Sequence, residues 1–256
     1  MSGLQVHGLA KSFGGVQAVR DVAFSLDGGE LLALIGPNGA GKTTTFNMLN
    51  GQLRPDEGSV TLGGVDLVGK SPRQIWRLGV GRTFQITATF LSMTVVENVQ
   101  MVLLSHHRRL LEWWWPAARL YRDEAMALLE RVGMAEQANR PASVLAYGDL
   151  KRLELAMALA SEPKLLLMDE PTAGMAPRER IELMSLTAEL VRERHIAVLF
   201  TEHDMDVVFA HAHRIIVMNR GAILAGGTPD AVRNDPVVQQ VYLGSGAMFA
   251  DDEEAA

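Results

Sequence analysis

Apolar and polar residues follow two rhythms along this chain. Residues 31–35, 165–168, 196–200 and 215–218 are short, continuous apolar runs, the pattern of strands buried on both faces. Residues 19–26 alternate instead, with Val19, Asp21, Ala23 and Ser25 set against Arg20, Val22, Phe24 and Leu26, and so predict a half-buried strand. In residues 177–194, Ile181, Met184, Ala188 and Val191 recur at steps of three and four. The leading proline suits a first helical turn, so the stretch predicts a helix with those four residues facing inward. Buried strands that alternate with helices imply an α/β fold with a mostly parallel sheet. Between residues 94 and 160 the strand signals stop, and leucine, alanine, methionine and arginine dominate. Helices are expected there, at residues 117–131 and 149–160, as an insertion in the α/β core.

Composition narrows the class. The chain has 256 residues, of which 48% are hydrophobic, enough for a substantial core. Cysteine is absent, which excludes disulfides and thiolate metal sites and fits a reducing compartment. Thirty acidic against 24 basic residues leave a net charge of −6, unsuited to coating nucleic acid. No apolar run reaches the roughly 18 residues of a membrane span, and the opening residues lack the apolar core of a secretory signal. A cytosolic protein is the expectation. Trp113, Trp114 and Trp115 form a triplet before Pro116. Spaced about 100° apart on a helix, they cannot share one core, so a loop that folds its rings onto the helical insertion is favoured over contact with a membrane-embedded partner or the lipid headgroup zone.

The candidate chemistry begins at residue 36. Gly36-Pro37-Asn38-Gly39-Ala40-Gly41-Lys42-Thr43 satisfies G-x-x-x-x-G-K-[ST], and Thr44 follows. A buried strand before it and a helix after it are the context that a phosphate-binding loop requires. Glycine lets successive backbone N–H groups converge where a Cβ would intrude, and the helix N-terminus adds about half a positive charge. Lys42 is a candidate to bridge β- and γ-phosphates, and the Thr43 hydroxyl to ligate Mg²⁺. Such a loop needs an acid, and the run at 165–168 delivers Asp169 and Glu170 at its C-terminal end. Asp169 would hold Mg²⁺ through its water shell, and Glu170 would orient and deprotonate an attacking water.

Three further motifs complete the pattern: Gly81-Arg82-Thr83-Phe84-Gln85, Leu145-Ala146-Tyr147-Gly148-Asp149 and Thr201-Glu202-His203-Asp204. With five motifs in order from about residue 4 to residue 244, the chain resembles ATPase subunits of ABC transporters. Arg82-Thr83-Phe84-Gln85, Glu202-His203-Asp204-Met205 and the ending from Gly227-Thr228-Pro229 to Tyr242-Leu243-Gly244 are similar to those of branched-chain amino acid importers. That group includes importers of urea, amides and aromatic acids. The resemblance implies a P-loop NTPase core with a mostly parallel sheet, an antiparallel N-terminal β portion and an inserted helical subdomain. Residues 1–86 and 162–244 would form the core lobe, 87–161 the helical lobe, and 245–256 a frayed acidic tail. It further implies ATP and Mg²⁺, a second ATPase subunit, membrane permeases, indirectly a periplasmic binding protein, and residence on the cytoplasmic face of the inner membrane.

In that family each ATP lies on one subunit's P-loop and under the other's 145–149 segment, which directs Tyr147 and Gly148 at a γ-phosphate. His203 would hydrogen-bond the γ-phosphate and the water. Gln85 would contact Mg²⁺ or the water and open the segment that faces the permease, and Phe13 would stack on adenine. This chain departs from the commonest wording in three places. Ala146 and Asp149 stand where serine and glutamine are usual, with Asp149 read either as a γ-phosphate neighbour offset by Lys151 and Arg152 or as a helix cap. Ala176 stands where many relatives carry aspartate, which predicts weaker communication between the two sites. A soluble relative acting on nucleic acid or ribosomes would need a long coiled-coil insertion or two ATPase units, and neither is present. A regulator that does not hydrolyse is at odds with Glu170 and His203, and GTP with the missing N-K-x-D motif.

Overall fold

The computed structural model describes residues 3–83, 89–107 and 120–243. Gln85, the tryptophan triplet and the acidic tail lie outside them. The chain opens with β1 (Leu4–Phe13), β2 (Val16–Leu26), β3 (Leu31–Ile35), α1 (Lys42–Leu49), β4 (Glu57–Leu62), β5 (Val65–Asp66), α2 (Pro72–Arg77) and β6 (Val80–Thr83). The helices α3 (Val95–His106), α4 (Arg122–Arg131) and α5 (Tyr147–Leu159) follow. Last come β7 (Leu165–Asp169), α6 (Pro177–Arg194), β8 (Ala197–Thr201), α7 (Met205–His211), β9 (Arg214–Asn219), β10 (Ala222–Gly227), α8 (Pro229–Arg233) and α9 (Pro236–Leu243).

Two sheets result. A four-stranded antiparallel sheet runs β2-β1-β4-β5, and a six-stranded sheet runs β10-β9-β3-β8-β7-β6. In the second sheet every pairing is parallel except that of β10 with β9. Strands β3, β7 and β8 are buried along their whole length, and the period-two alternation of a strand explains why they read as continuous apolar runs. Leu31, Ala33 and Ile35 face a core shared with α3 to α6, whereas Leu32 and Leu34 face a second core shared with α1 and the antiparallel sheet. Because β3, β8 and β7 are adjacent and parallel, the residues that follow each of them meet at one edge of the sheet, where α/β sites form.

Two patterns predicted from the sequence fold differently. The strict alternation of residues 19–26 breaks at Asp21, whose φ of 48° places it in the left-handed region. Leu9 pairs with Val22 and Lys11 with Val19, so one extra residue bulges out of β2 and Val19, Val22 and Leu26 are the ones buried. In α6 the bounds agree with the proline and the periodicity, but Ile181 is 55% exposed. The buried face is Leu183, Met184, Thr187, Leu190 and Val191, and at about 100° per residue Ile181 lies roughly 120° from its centre. The helix expected at 117–131 begins at Arg122 within the described residues. That expected at 149–160 begins two residues earlier, at Tyr147.

Candidate active site

The loop between β3 and α1 depends on its glycines. A Cβ on Gly36 would run into the Met218 carbonyl oxygen of β9, and one on Gly41 would stand 2.5 Å from the Ala18 carbonyl oxygen of β2. Gly41 also has φ 103°, open only to glycine at low cost. Lys42 begins α1, and its ammonium donates to the Gly36 carbonyl at 2.6 Å and the Pro37 carbonyl at 3.2 Å. Burial lowers the Lys42 pKa, while the Glu170 and Asp169 carboxylates oppose that pull.

At the end of β7, the Asp169 Oδ1 accepts from the Thr201 hydroxyl at 2.8 Å and its Oδ2 faces the Arg82 guanidinium at 3.3 Å. Arg82 also donates to Asn47 Oδ1 at 2.9 Å and Gln52 Oε1 at 3.1 Å, which moors β7 to the end of α1. Glu170 is held at φ 48°, an uncommon conformation for a residue with a Cβ. Its N–H donates to the Thr201 carbonyl and to the Thr201 hydroxyl, both at 3.1 Å. Its Oε1 lies 3.0 Å from His203 Nε2. Beside His203, the buried Glu202 accepts from the Thr172 N–H at 2.8 Å and the Thr172 hydroxyl at 2.6 Å. Burial raises the Glu202 carboxyl pKa against the opposing Thr172 hydrogen bonds.

A cleft of about 320 Å³ gathers Phe13, Asn38, Gly39, Ala40, Gly41, Lys42, Thr43, Thr44, Asp169, Glu170 and His203. Residues from three separate motifs, together with Phe13, thus share one cavity that holds backbone N–H groups, a cation, hydroxyls and carboxylates. Phe13 is 47% exposed there, with the Lys11 ammonium 5.7 Å from its ring. The donors suit a polyphosphate, and Thr43 with Asp169 suits Mg²⁺, which takes few protein ligands and leans on phosphate oxygens. Gln85 lies outside the described residues.

Tyr147 and Gly148 do not line this cleft. They start α5, where a Cβ on Gly174 would lie 3.3 Å from the Tyr147 ring and one on Gly148 would lie 3.1 Å from the Glu179 carboxylate. Asp149 is not the cap of that helix: Ala146 is, and Asp149 stands in the first turn, accepting from Gln137 Nε2 at 3.0 Å. Lys151 and Arg152 make their ion pairs elsewhere, with Glu154 at 3.1 Å and Glu182 at 2.9 Å. Sequence reasoning also missed Arg82 as the Asp169 partner, and Thr172 and Thr201. These contacts join residues 30 to 87 positions apart, and no periodicity marks them.

Ala176 caps α6 without a side-chain acceptor, although its N–H donates to Glu179 Oε2 at 3.2 Å. Ala176→Asp should therefore complete the cap and stabilise the chain by about 0.5–2 kcal/mol. The substituted chain should also gain cooperativity in ATP. A denaturant melt tests the first effect, and ATP titration of turnover the second; an unchanged Hill coefficient sinks the communication role.

The ABC transporter family matches residues 19–173, and the branched-chain amino acid ATP-binding cassette transporter family matches residues 222–247. The high-affinity branched-chain amino acid transport ATP-binding protein LivG of Salmonella typhimurium is 45% identical over 94% of this chain and 97% of its own. BraF, the corresponding protein of Pseudomonas aeruginosa, is 42% identical over the same shares. A crystal structure of the ADP conformation of an ATP-binding cassette of an ABC transporter superposes with a TM-score of 0.84 at 31% identity, covering 95% of this chain and 99% of that one. Motifs, fold and relatives agree: this chain belongs to the ABC transporter family, as one of its ATP-binding ATPase subunits.

Proposed function

We propose that this chain is the energy-coupling ATPase of an importer for branched-chain amino acids or related small amino acids and amides. The observation that carries the hydrolytic part is the shared cleft of Lys42, Asp169, Glu170 and His203. The substrate class rests on the likeness of residues 222–247 to the branched-chain group and on the relatives' names.

In this reading Lys42 and the 36–43 backbone hold the β- and γ-phosphates, and Phe13 stacks on adenine. Thr43, Gln85 and Asp169 would hold Mg²⁺, which when bound neutralises charge on the transferring phosphoryl group. Glu170 accepts a proton from the attacking water as the bond to the β-phosphate oxygen breaks. His203, 3.0 Å from Glu170 Oε1, orients that carboxylate and contacts the γ-phosphate. Tyr147 and Gly148 serve the ATP of a second ATPase subunit, a copy or a paralogue, in a head-to-tail pair. Residues 87–161 form the helical lobe that meets the permeases, and 1–86 with 162–244 the core lobe. A periplasmic binding protein would deliver substrate to the permeases. The chain would sit peripherally on the cytoplasmic face of the inner membrane. Among the described residues no helix is long and apolar enough to cross a membrane. Net charge −6 gives no support to a nucleic-acid partner.

The test is reconstitution with its permeases and binding protein in proteoliposomes. Leucine, isoleucine or valine should raise ATP turnover several-fold and accumulate inside. Stimulation by urea or an amide alone would move the substrate class, and failure to associate with any permease would end the importer reading.

A further inference from the structure

His203 is half exposed, and among the described residues its imidazole meets one partner, Glu170. Its aim therefore depends on its backbone, and the residues on both sides of it are tied to the segment that follows β7. On one side, Glu202 accepts both hydrogen bonds from Thr172. On the other, Asp204 Oδ2 pairs with Arg180 Nη1 at 2.5 Å, while Arg180 Nε donates to the Met175 carbonyl at 2.8 Å. The remaining Asp204 oxygen caps α7, accepting from the Asp206 N–H at 3.1 Å and the Val207 N–H at 3.3 Å. A planar guanidinium directs its donors in fixed directions, so Arg180 sets the distance between Met175 and Asp204 in a way that a flexible ammonium cannot.

We propose that Arg180 is a positioning residue for His203, acting through Asp204. It joins the 173–176 loop and the His203 segment into one unit, so that a displacement of that loop moves the imidazole against Glu170. This rests on the hydrolytic reading of Glu170 and His203. Nothing in residues 177–194 announces it, since Arg180 sits among the polar residues of a helical start. Its two partners lie on different segments, one of them 24 positions away.

The full-length chain tests this in two ways. Without nucleotide, the imidazole ¹⁵N resonances of His203, assigned against a His203→Ala control, should shift toward free histidine in Arg180→Gln. In Arg180→Lys, which keeps the charge but not the fork, they should shift less. In steady state, Arg180→Gln should lower kcat roughly ten-fold with KM within about two-fold, the mark of an interaction used in the transition state. In the His203→Ala background the same change should have no further effect on kcat, because the coupled partner is gone. Asp204→Asn breaks the ion pair from the other end and should reproduce both results should Arg180→Gln fail to fold. Unmoved His203 resonances, or an equal fall in kcat with and without His203, overturn the proposal. Glu170→Gln measured alongside reports separately on the hydrolytic reading: retained turnover there would remove that reading and leave the resonance result standing.

Discussion

Glu170→Gln is expected to lose turnover by about 10²–10⁴-fold, the range for removal of a general base, while it keeps ATP. The amide has nearly the shape of the carboxylate, so the geometry at residue 170 should survive. The φ of 48° is enforced by backbone bonds to Thr201 that do not involve the side chain. A Gln Oε1 still accepts from His203 Nε2 when that nitrogen carries the proton. What is lost is the basic oxygen, and with it one negative charge beside a polyphosphate. Weaker repulsion should let an ATP-bound dimer accumulate, visible by size-exclusion chromatography with ATP and absent with ADP. Fluorescent-nucleotide binding and phosphate release, measured on one preparation, separate the two effects. Normal phosphate release would take Glu170 out of the base role.

Lys42→Ala should instead strike binding. Truncating one partner of a buried, charge-assisted pair costs about 2–5 kcal/mol, or roughly 30- to 4,000-fold in Kd. The chain already spends burial on this ammonium: its pKa is lowered by desolvation and sustained by Glu170 and Asp169. Without it, those two carboxylates and the phosphates lose the ammonium that separates them, and Arg82, already paired with Asp169, does not replace it. Affinity for ATP should fall further than affinity for AMP, which lacks β- and γ-phosphates. Titration calorimetry of the pair of nucleotides reads this difference. An equal loss for both would mean that the variant damages the loop rather than the phosphate contact.

Much of the fold was legible because its signals are local. A strand buried on both faces must be apolar at every position, and β3, β7 and β8 are. The P-loop was legible because its glycines, lysine and threonine sit side by side, within one turn and the helix it opens. Alternation failed at Asp21, where pairing with β1 demands a bulge, and helical periodicity failed at Ile181. Periodicity says that a helix has a face, whereas the neighbouring sheet and α5 decide which face it is. Asp149 shows the same limit, since Gln137 claims its carboxylate and Ala146 holds the capping position.

By itself, then, the sequence determined the elements, the phosphate-binding loop, the two acids after β7 and the family likeness, all of them carried by residues adjacent in the chain. Tertiary structure alone decided who holds those groups in place. Arg82 meets Asp169 across 87 positions, and Thr172 meets Glu202 across 30. Arg180 reaches Asp204 across 24. The first two contacts exist because β6, β7 and β8 lie next to one another in the sheet order, and the third because α6 packs beside α7. That adjacency follows from how apolar faces pack, and it leaves no mark on the residues it brings together.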